Sequence, residues 1–368
     1  MLTIRGRSAA AAALIALVAG CSSAPPRVEP RSPAETHAEI VRRMPVSASD
    51  RDAWASDIVA AFASLDVAPT SSNLCATLAI IGQESNFVAD PAVPGLGRVA
   101  RAEIDRRAHE HDIPSFVVSA ALALHSSDGR SYADRIAAVR TERELSLVYE
   151  DLIGRVPLGK RLFADSNPVH TGGPMQVSVS FAEDFSRAHD YPYGGDASIR
   201  HEVFSRRGGV YFGVAHLLAY RAPYDRMIYR FADYNAGFYA SRNAAFQHAV
   251  TVATGIPLAL DGDLVAYEGN KPGATELAVR TMARTLDLDE GDIHRALAKG
   301  ESADFAETDL YERVYARAQR VSHAKLPRAR VPEIALKSPK ITRKLTTAWF
   351  AERVDSRYQA CMAKGGAR

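Results

Sequence analysis

From residue 40 to the C-terminal end, apolar residues recur three and four positions apart, and sustained alternation of apolar and polar residues is scarce. Side chains alternate across a strand but return to one face of a helix every three to four residues, so this spacing predicts an all-α fold. Ile58, Phe62 and Leu65 mark one face of an early helix, and Leu74, Thr77, Leu78 and Ile81 mark the next. Between residues 98 and 156 four short helices are expected: the charged RVARAEIDRRAHEHD, stopped near Ile113-Pro114, the apolar SFVVSAALAL, and the amphipathic YADRIAAV and ERELSLVYEDLI. Residues 208–220, GGVYFGVAHLLAY, are apolar on most sides and predict a buried helix. YDRMIYRFADYNAG should end at Gly237 in a left-handed cap, and the following YASRNAAFQHAVTVA should resume the helix. Later helices are expected at 274–285, 290–298, 307–322 and 339–362, the last started by Ser338 with Pro339 behind it.

The first twenty residues obey a different rule. Arg5 and Arg7 precede an apolar stretch, residues 9–19, too short for the roughly 20 residues of a membrane span, which predicts a secretory signal over residues 1–20. Leu17-Val18-Ala19-Gly20-Cys21 resembles the lipobox of bacterial lipoproteins, which makes Cys21 the expected lipidation site. With Ser22 next, the pattern implies an outer-membrane lipoprotein facing the periplasm. Residues 21–39, rich in Pro, Ser and charge, read as a flexible tether, and 40–368 as a single helical domain. The other cysteines, Cys75 and Cys361, are compatible with one disulfide in an oxidising compartment or with two buried thiols. Lys and Arg total 45 against 43 Asp and Glu, a formal charge of +2, which excludes nucleic-acid binding by bulk electrostatics. One local exception is the basic, proline-interrupted stretch 325–340, either a solvated loop or a strip that meets an anionic polymer or membrane.

The stretch IIGQESNFVAD, residues 80–90, holds the chemistry-bearing anomaly. Leu74, Thr77, Ile81 and Glu84 are spaced three, four and three apart, which turns Glu84 toward the apolar stripe. A poorly hydrated carboxyl has its charged form disfavoured and can stay protonated near neutrality as a general acid. A frayed, exposed helix end is the alternative. HEHD, residues 109–112, puts His109 and His111 on different sides of a helix with no third ligand, so no metal is expected. The glycines of residues 95–97 lack the third glycine and the preceding strand of a dinucleotide fingerprint, and no cofactor is implied. Ser180 and Glu183 have capping-box spacing, which predicts a helix start there.

ESNF, GGPMQVS at 172–178 and ADYNAG at 232–237, in that order, resemble the motifs of lytic transglycosylases of the goose-lysozyme-like class. The whole chain also looks like a bacterial lipoprotein family of unknown function. The resemblance covers about residues 73–252 and implies a lysozyme-like helical core, with residues 88–171 as an insertion and 256–368 as a C-terminal extension. It implies that Glu84 cleaves the bond between N-acetylmuramic acid and N-acetylglucosamine in peptidoglycan glycan strands, first as acid and then as base on the C6 hydroxyl, closing a 1,6-anhydro ring. By the same resemblance Ser85 and Gln176 contact sugar or acetamido groups, Met175 lines the groove, Tyr234 contacts substrate or positions Glu84, Asn235 belongs to the site or holds the helix end, and Gly172 and Gly173 let the backbone approach. The chain departs from the pattern at Pro174, which stiffens the loop, and at Asp233, which adds an acid that could assist catalysis, orient Tyr234 or face water. Two rivals stay open. A hydrolase would need water activated by a second carboxylate, Asp233, Asp165 or Asp90, and a non-catalytic lipoprotein would bind glycan or an unidentified protein through the insertion.

Overall fold

The computed structural model describes residues 31–155, 161, 166–195, 197–266, 271–336 and 345–365. The signal, Cys21, Asp165 and the Ser338-Pro339 start signal lie outside the described residues. The fold is all-α; among the described residues the strands are two antiparallel two-residue pairs, β1 (Thr171–Gly172) with β2 (Val177–Ser178) and β3 (Ala335–Leu336) with β4 (Leu345–Thr346).

Helix begins inside the stretch expected to be tether. In α1 (Pro33–Arg43) the Ser32 hydroxyl accepts the Glu35 N–H, the Glu35 carboxylate accepts the Ser32 N–H, and Pro33 needs no donor at the first turn. Its stripe, Thr36, Ile40 and Arg43, packs on α2 (Arg51–Ser64). Three apolar clusters follow. The largest joins α1, α2, α3 (Ser71–Glu84), Met175, Val177, α10 (Arg206–Leu218), α11 (Met227–Ala236) and α17 (Thr347–Ala363). A second fills the predicted insertion, α4 (Leu96–Glu110), α5 (Ser115–Leu122), α6 (Tyr132–Ala138) and α7 (Glu142–Gly154), and is tied to the body by Phe204, which ends the short α9 (Ile199–Val203). The third joins α12 (Ala240–Thr254) to α13 (Ala274–Arg280), α14 (Ala283–Leu286), α15 (Glu290–Leu297) and α16 (Asp309–Ser322).

The expected C-terminal extension is therefore two things. Residues 274–322 complete their own core, whereas α17 returns to pack on α3 and α11, and a disulfide joins Cys75 to Cys361, 286 residues apart with Cα atoms 5.5 Å apart. This helix starts at Thr347, capped by the Thr346 hydroxyl, because β3–β4 pairing holds Leu345 and Thr346 extended. A second start also moves: α8 (Val179–Ala188) is capped by Ser178, whose hydroxyl accepts the Phe181 N–H, while Ser180 is inside the helix. Gly237 ends α11 with φ 105° and ψ 157°, glycine territory but not the expected left-handed cap; Tyr239 takes the left-handed conformation before α12.

Candidate functional site

The site begins at the end of α3. Thr70 caps its first turn, residues from Leu74 to Ile81 are buried without interruption, and Glu84 is its last residue. Asn86 and Phe87 then take positive φ values of 50° and 64°, a conformation costing non-glycine residues about 1–3 kcal/mol each. Burial of Phe87, edge-on to Trp54 at 5.9 Å, holds this turn. The chain leaves α3 sharply, so the Glu84 side chain is neither covered by a further helical turn nor released to the surface.

Opposite lies the loop between β1 and β2. A Cβ on Gly172 would sit 2.1 Å from the Phe204 ring, and one on Gly173, at φ 73°, would sit 2.0 Å from the Val203 carbonyl. Both glycines are needed for close approach. The Gln176 N–H closes the turn on the Gly173 carbonyl at 3.1 Å, and Gln176 itself has φ 51°. Met175 does not line a groove as the resemblance implies: it is fully buried against α10, where only a glycine at 213 leaves room for its sulfur. Its carbonyl instead accepts the Tyr234 hydroxyl at 2.7 Å.

Glu84 keeps a partial opening to solvent while protein surrounds it deeply. Burial, and then the negative charge of Glu142, push its carboxyl up to about 7. The Glu84 charge in turn acts on Tyr234, whose phenol burial already drives well above its usual range. Gln176 closes the ring of contacts by donating from Nε2 to Glu142 Oε2 at 2.9 Å. The structure thus brings together Glu84, Gln176 and Tyr234 and adds Glu142, a buried residue of the first turn of α7. The insertion delivers it: the Thr141 hydroxyl donates to Asp90 at 3.0 Å, the Val93 N–H donates to the Arg140 carbonyl at 2.8 Å, and Ala92 bridges Thr141. A second unforeseen residue is His216. Its ring packs 4.8 Å from Tyr234, Phe181 and Phe238, and burial lowers its pKa to about 4, so it is a neutral support for the phenol.

Other expected site residues have different employment. The Ser85 hydroxyl donates back to the Ile81 carbonyl at 3.1 Å. Asn235 is exposed and accepts from Thr347 at 2.9 Å, so it holds α17 rather than the 172–178 loop. Asp233 is buried and neither faces water nor points at the Glu84 cluster. Its two oxygens accept the Ser241 N–H at 2.7 Å and the Tyr224 and Tyr220 hydroxyls at 2.7 and 3.1 Å, pinning the α11–α12 junction. Asp90 serves the insertion joint through Thr141. Glu142 carried only a faint signal in sequence, the capping box between Thr141 and Glu144, which marks a helix start without showing what its first residue faces. Among the described residues no three His, Cys, Asp or Glu side chains converge as a metal site.

Fold and site together define an all-α protein with a desolvated, partly accessible glutamate flanked by a second carboxylate, an amide and a phenol. The chain belongs to the family described as "Protein of unknown function (DUF1615)", which matches residues 47–364. It is 53% identical over 350 residues to "Uncharacterized protein YaiW" of Escherichia coli (strain K12), covering 95% of this chain and 96% of that one. No solved structure matches.

Proposed function

We propose that the protein is a peptidoglycan lytic transglycosylase with Glu84 as its general acid and base. The observation that carries this reading is the burial of Glu84 beside the Glu142 carboxylate, which together push its carboxyl up to about 7. Such a carboxyl holds a proton near neutrality and gives it up readily, as protonation of a glycosidic oxygen requires. Glu84 donates its proton to the leaving N-acetylglucosamine O4 as the bond to the muramyl C1 breaks. The resulting Glu84 carboxylate takes the proton of the C6 hydroxyl while O6 bonds to C1, giving the 1,6-anhydro sugar and restoring the acid. The charge of Glu142 favours the positive charge developing at C1, and Gln176, tethered to Glu142, presents its remaining amide capacity to an acetamido group. The rings of Phe181, Tyr234 and Phe238, half-buried around His216, offer apolar faces to sugar.

A second reading has its own support. Glu142 supplies the second carboxylate that a hydrolase needs to activate water, a role for which Asp233 is already occupied. Digestion of purified sacculi, with muropeptides identified by mass, separates the readings. 1,6-Anhydro products from wild type and none from Glu84→Gln support the transglycosylase, whereas reducing-end muramic acid replaces it with the hydrolase. Binding without cleavage, unchanged in Glu84→Gln, makes the protein a glycan-binding lipoprotein. The same reading places the enzyme in the cell envelope, facing the periplasm from the outer membrane through acylated Cys21. Cys21→Ser would then shift the protein from the membrane to the soluble fraction.

A further inference from the structure

A cavity of about 1040 Å³ lies between the α10–α11 connection, the first turn of α12, residues 303–311 and residues 325–329, and none of its wall residues belongs to the Glu84 cluster. Its size reaches the upper end of ordinary small-molecule sites, roughly 300–1,000 Å³. Five basic side chains line it, Arg221, Arg230, Arg242, Lys325 and Arg328, against two acidic ones, Asp225 and Glu307, in a chain whose whole formal charge is +2. The basic stretch beginning at residue 325 is therefore no mere solvated loop, since its first residues form one wall. It is fastened there by the Tyr315 hydroxyl donating to the Pro327 carbonyl at 3.2 Å and by the Arg330 N–H donating to the Ser241 carbonyl at 2.9 Å.

The five cations are not equivalent. Arg230 spends its guanidinium on the carbonyls that end α10, those of Leu217, Tyr220 and Ala222. Arg328 lies 3.8 Å over the Tyr315 ring and pairs with Glu312 at the exposed rim. Arg221 and Lys325 are exposed and have no side-chain partner among the described residues. Arg242 is the unusual one. It is 4% exposed, lies 4.2 Å from the Tyr239 ring centre and 5.1 Å from that of Phe305, and forms no ion pair among the described residues. Its partners are all neutral acceptors, Asn243 Oδ1 and the Ser302 and Gly300 carbonyls. A charge taken out of water with no direct ion-pair partner, and with Asp233 acting on it only from a distance, is costly, and here it stands at the wall of an open cavity with two unpartnered cations at the mouth.

We propose that this cavity binds a small polyanion, a molecule carrying at least two phosphate or carboxylate groups, with Arg242 at the back and Arg221, Lys325 and Arg328 at the rim. Tyr224, Tyr229, Tyr239 and Tyr311 line the remaining wall and suit a ring or an apolar body between the charged groups. The site is independent of Glu84 and of the glycan reading.

The test is calorimetric titration of the full chain, at low ionic strength, with inorganic pyrophosphate, with citrate and with neutral N-acetylglucosamine. One-to-one binding of pyrophosphate or citrate with a dissociation constant below about 1 mM, weakened by salt, is expected. Pyrophosphate alone would identify phosphate as the recognised group and citrate alone carboxylate. The double variant Arg221→Gln/Lys325→Gln, at two exposed positions, should fold normally and bind about a hundredfold more weakly, about tenfold for each charge-assisted hydrogen bond removed. No binding of either anion at about 10 mM, equal binding of the neutral sugar, or unchanged affinity in the folded double variant would overturn the proposal.

Discussion

Glu84→Gln should alter stability with a pH dependence fixed by the geometry of the site. In the folded protein the carboxyl titrates near 7, against 4.5 for an unperturbed glutamate. Between these values the native state holds a proton that the unfolded chain has released, so stability falls as pH rises through this window and the loss is complete above the folded pKa. At about 1.36 kcal/mol per unit, the full penalty is roughly 3 kcal/mol. Glutamine keeps the shape of the protonated acid and carries no charge at any pH, so the variant escapes the penalty. For a domain of this size 3 kcal/mol corresponds to about 4 °C in Tm. Differential scanning calorimetry of both proteins should show nearly equal Tm values at about pH 4 and a variant about 4 °C more stable at about pH 8.5, the difference building up between 4.5 and about 7 and levelling off above that. A difference that stays flat across this range would refute the desolvated acid and with it the proposed chemistry. Glu142→Gln should lower the pH at which this difference levels off, but not to 4.5, because burial is the larger cause and the Glu142 charge the smaller.

Reducing the Cys75–Cys361 bridge frees a loop of 286 residues, and the chain-entropy estimate of its contribution is about 6 kcal/mol; urea unfolding with and without reductant should show a large fall in midpoint. Gly173→Ala puts a Cβ 2.0 Å from a backbone carbonyl at φ 73° and should cost well over the roughly 1 kcal/mol expected at Gly237, where φ is 105° but the space is open. Thermal melts of the two alanine variants compare them directly. Asp233→Ala strands one buried and two half-buried donors and should cost about 3 kcal/mol. The milder Asp233→Asn should leave the product profile intact, and loss of cleavage at unchanged stability would restore Asp233 as a second acid.

Some of this was legible in the residues alone. The helical period settled the fold class and brought out α2 to α7 and α10 to α12, because a repeat of three and four is a local property of the chain. It also turned Glu84 inward, since its face follows from its distance to Leu74, Thr77 and Ile81. Helix ends were less legible. Ser178 and Ser180 display much the same chemistry, and Ser178 is the cap because β pairing holds its backbone extended, as it does that of Thr346 ahead of α17.

What only the tertiary structure decided is the surroundings of that glutamate and the fate of the chain end. Glu142 is 58 residues from Glu84 in sequence, and its arrival at the site depends on the Asp90–Thr141 and Val93–Arg140 contacts that dock α7. The same holds for Met175, whose burial needs a glycine on α10, and for Asp233, whose Oδ2 is taken by two tyrosines from the preceding loop and Oδ1 by the Ser241 N–H. It holds also for the bridge between Cys75 and Cys361, since no local pattern says that α17 returns to α3. The sequence by itself determined which residues share a helix face, because neighbours along a helix are set by backbone geometry. Which carboxylate stands against which was left to long-range packing, where desolvation and charge, the two causes that raise the Glu84 pKa, both originate.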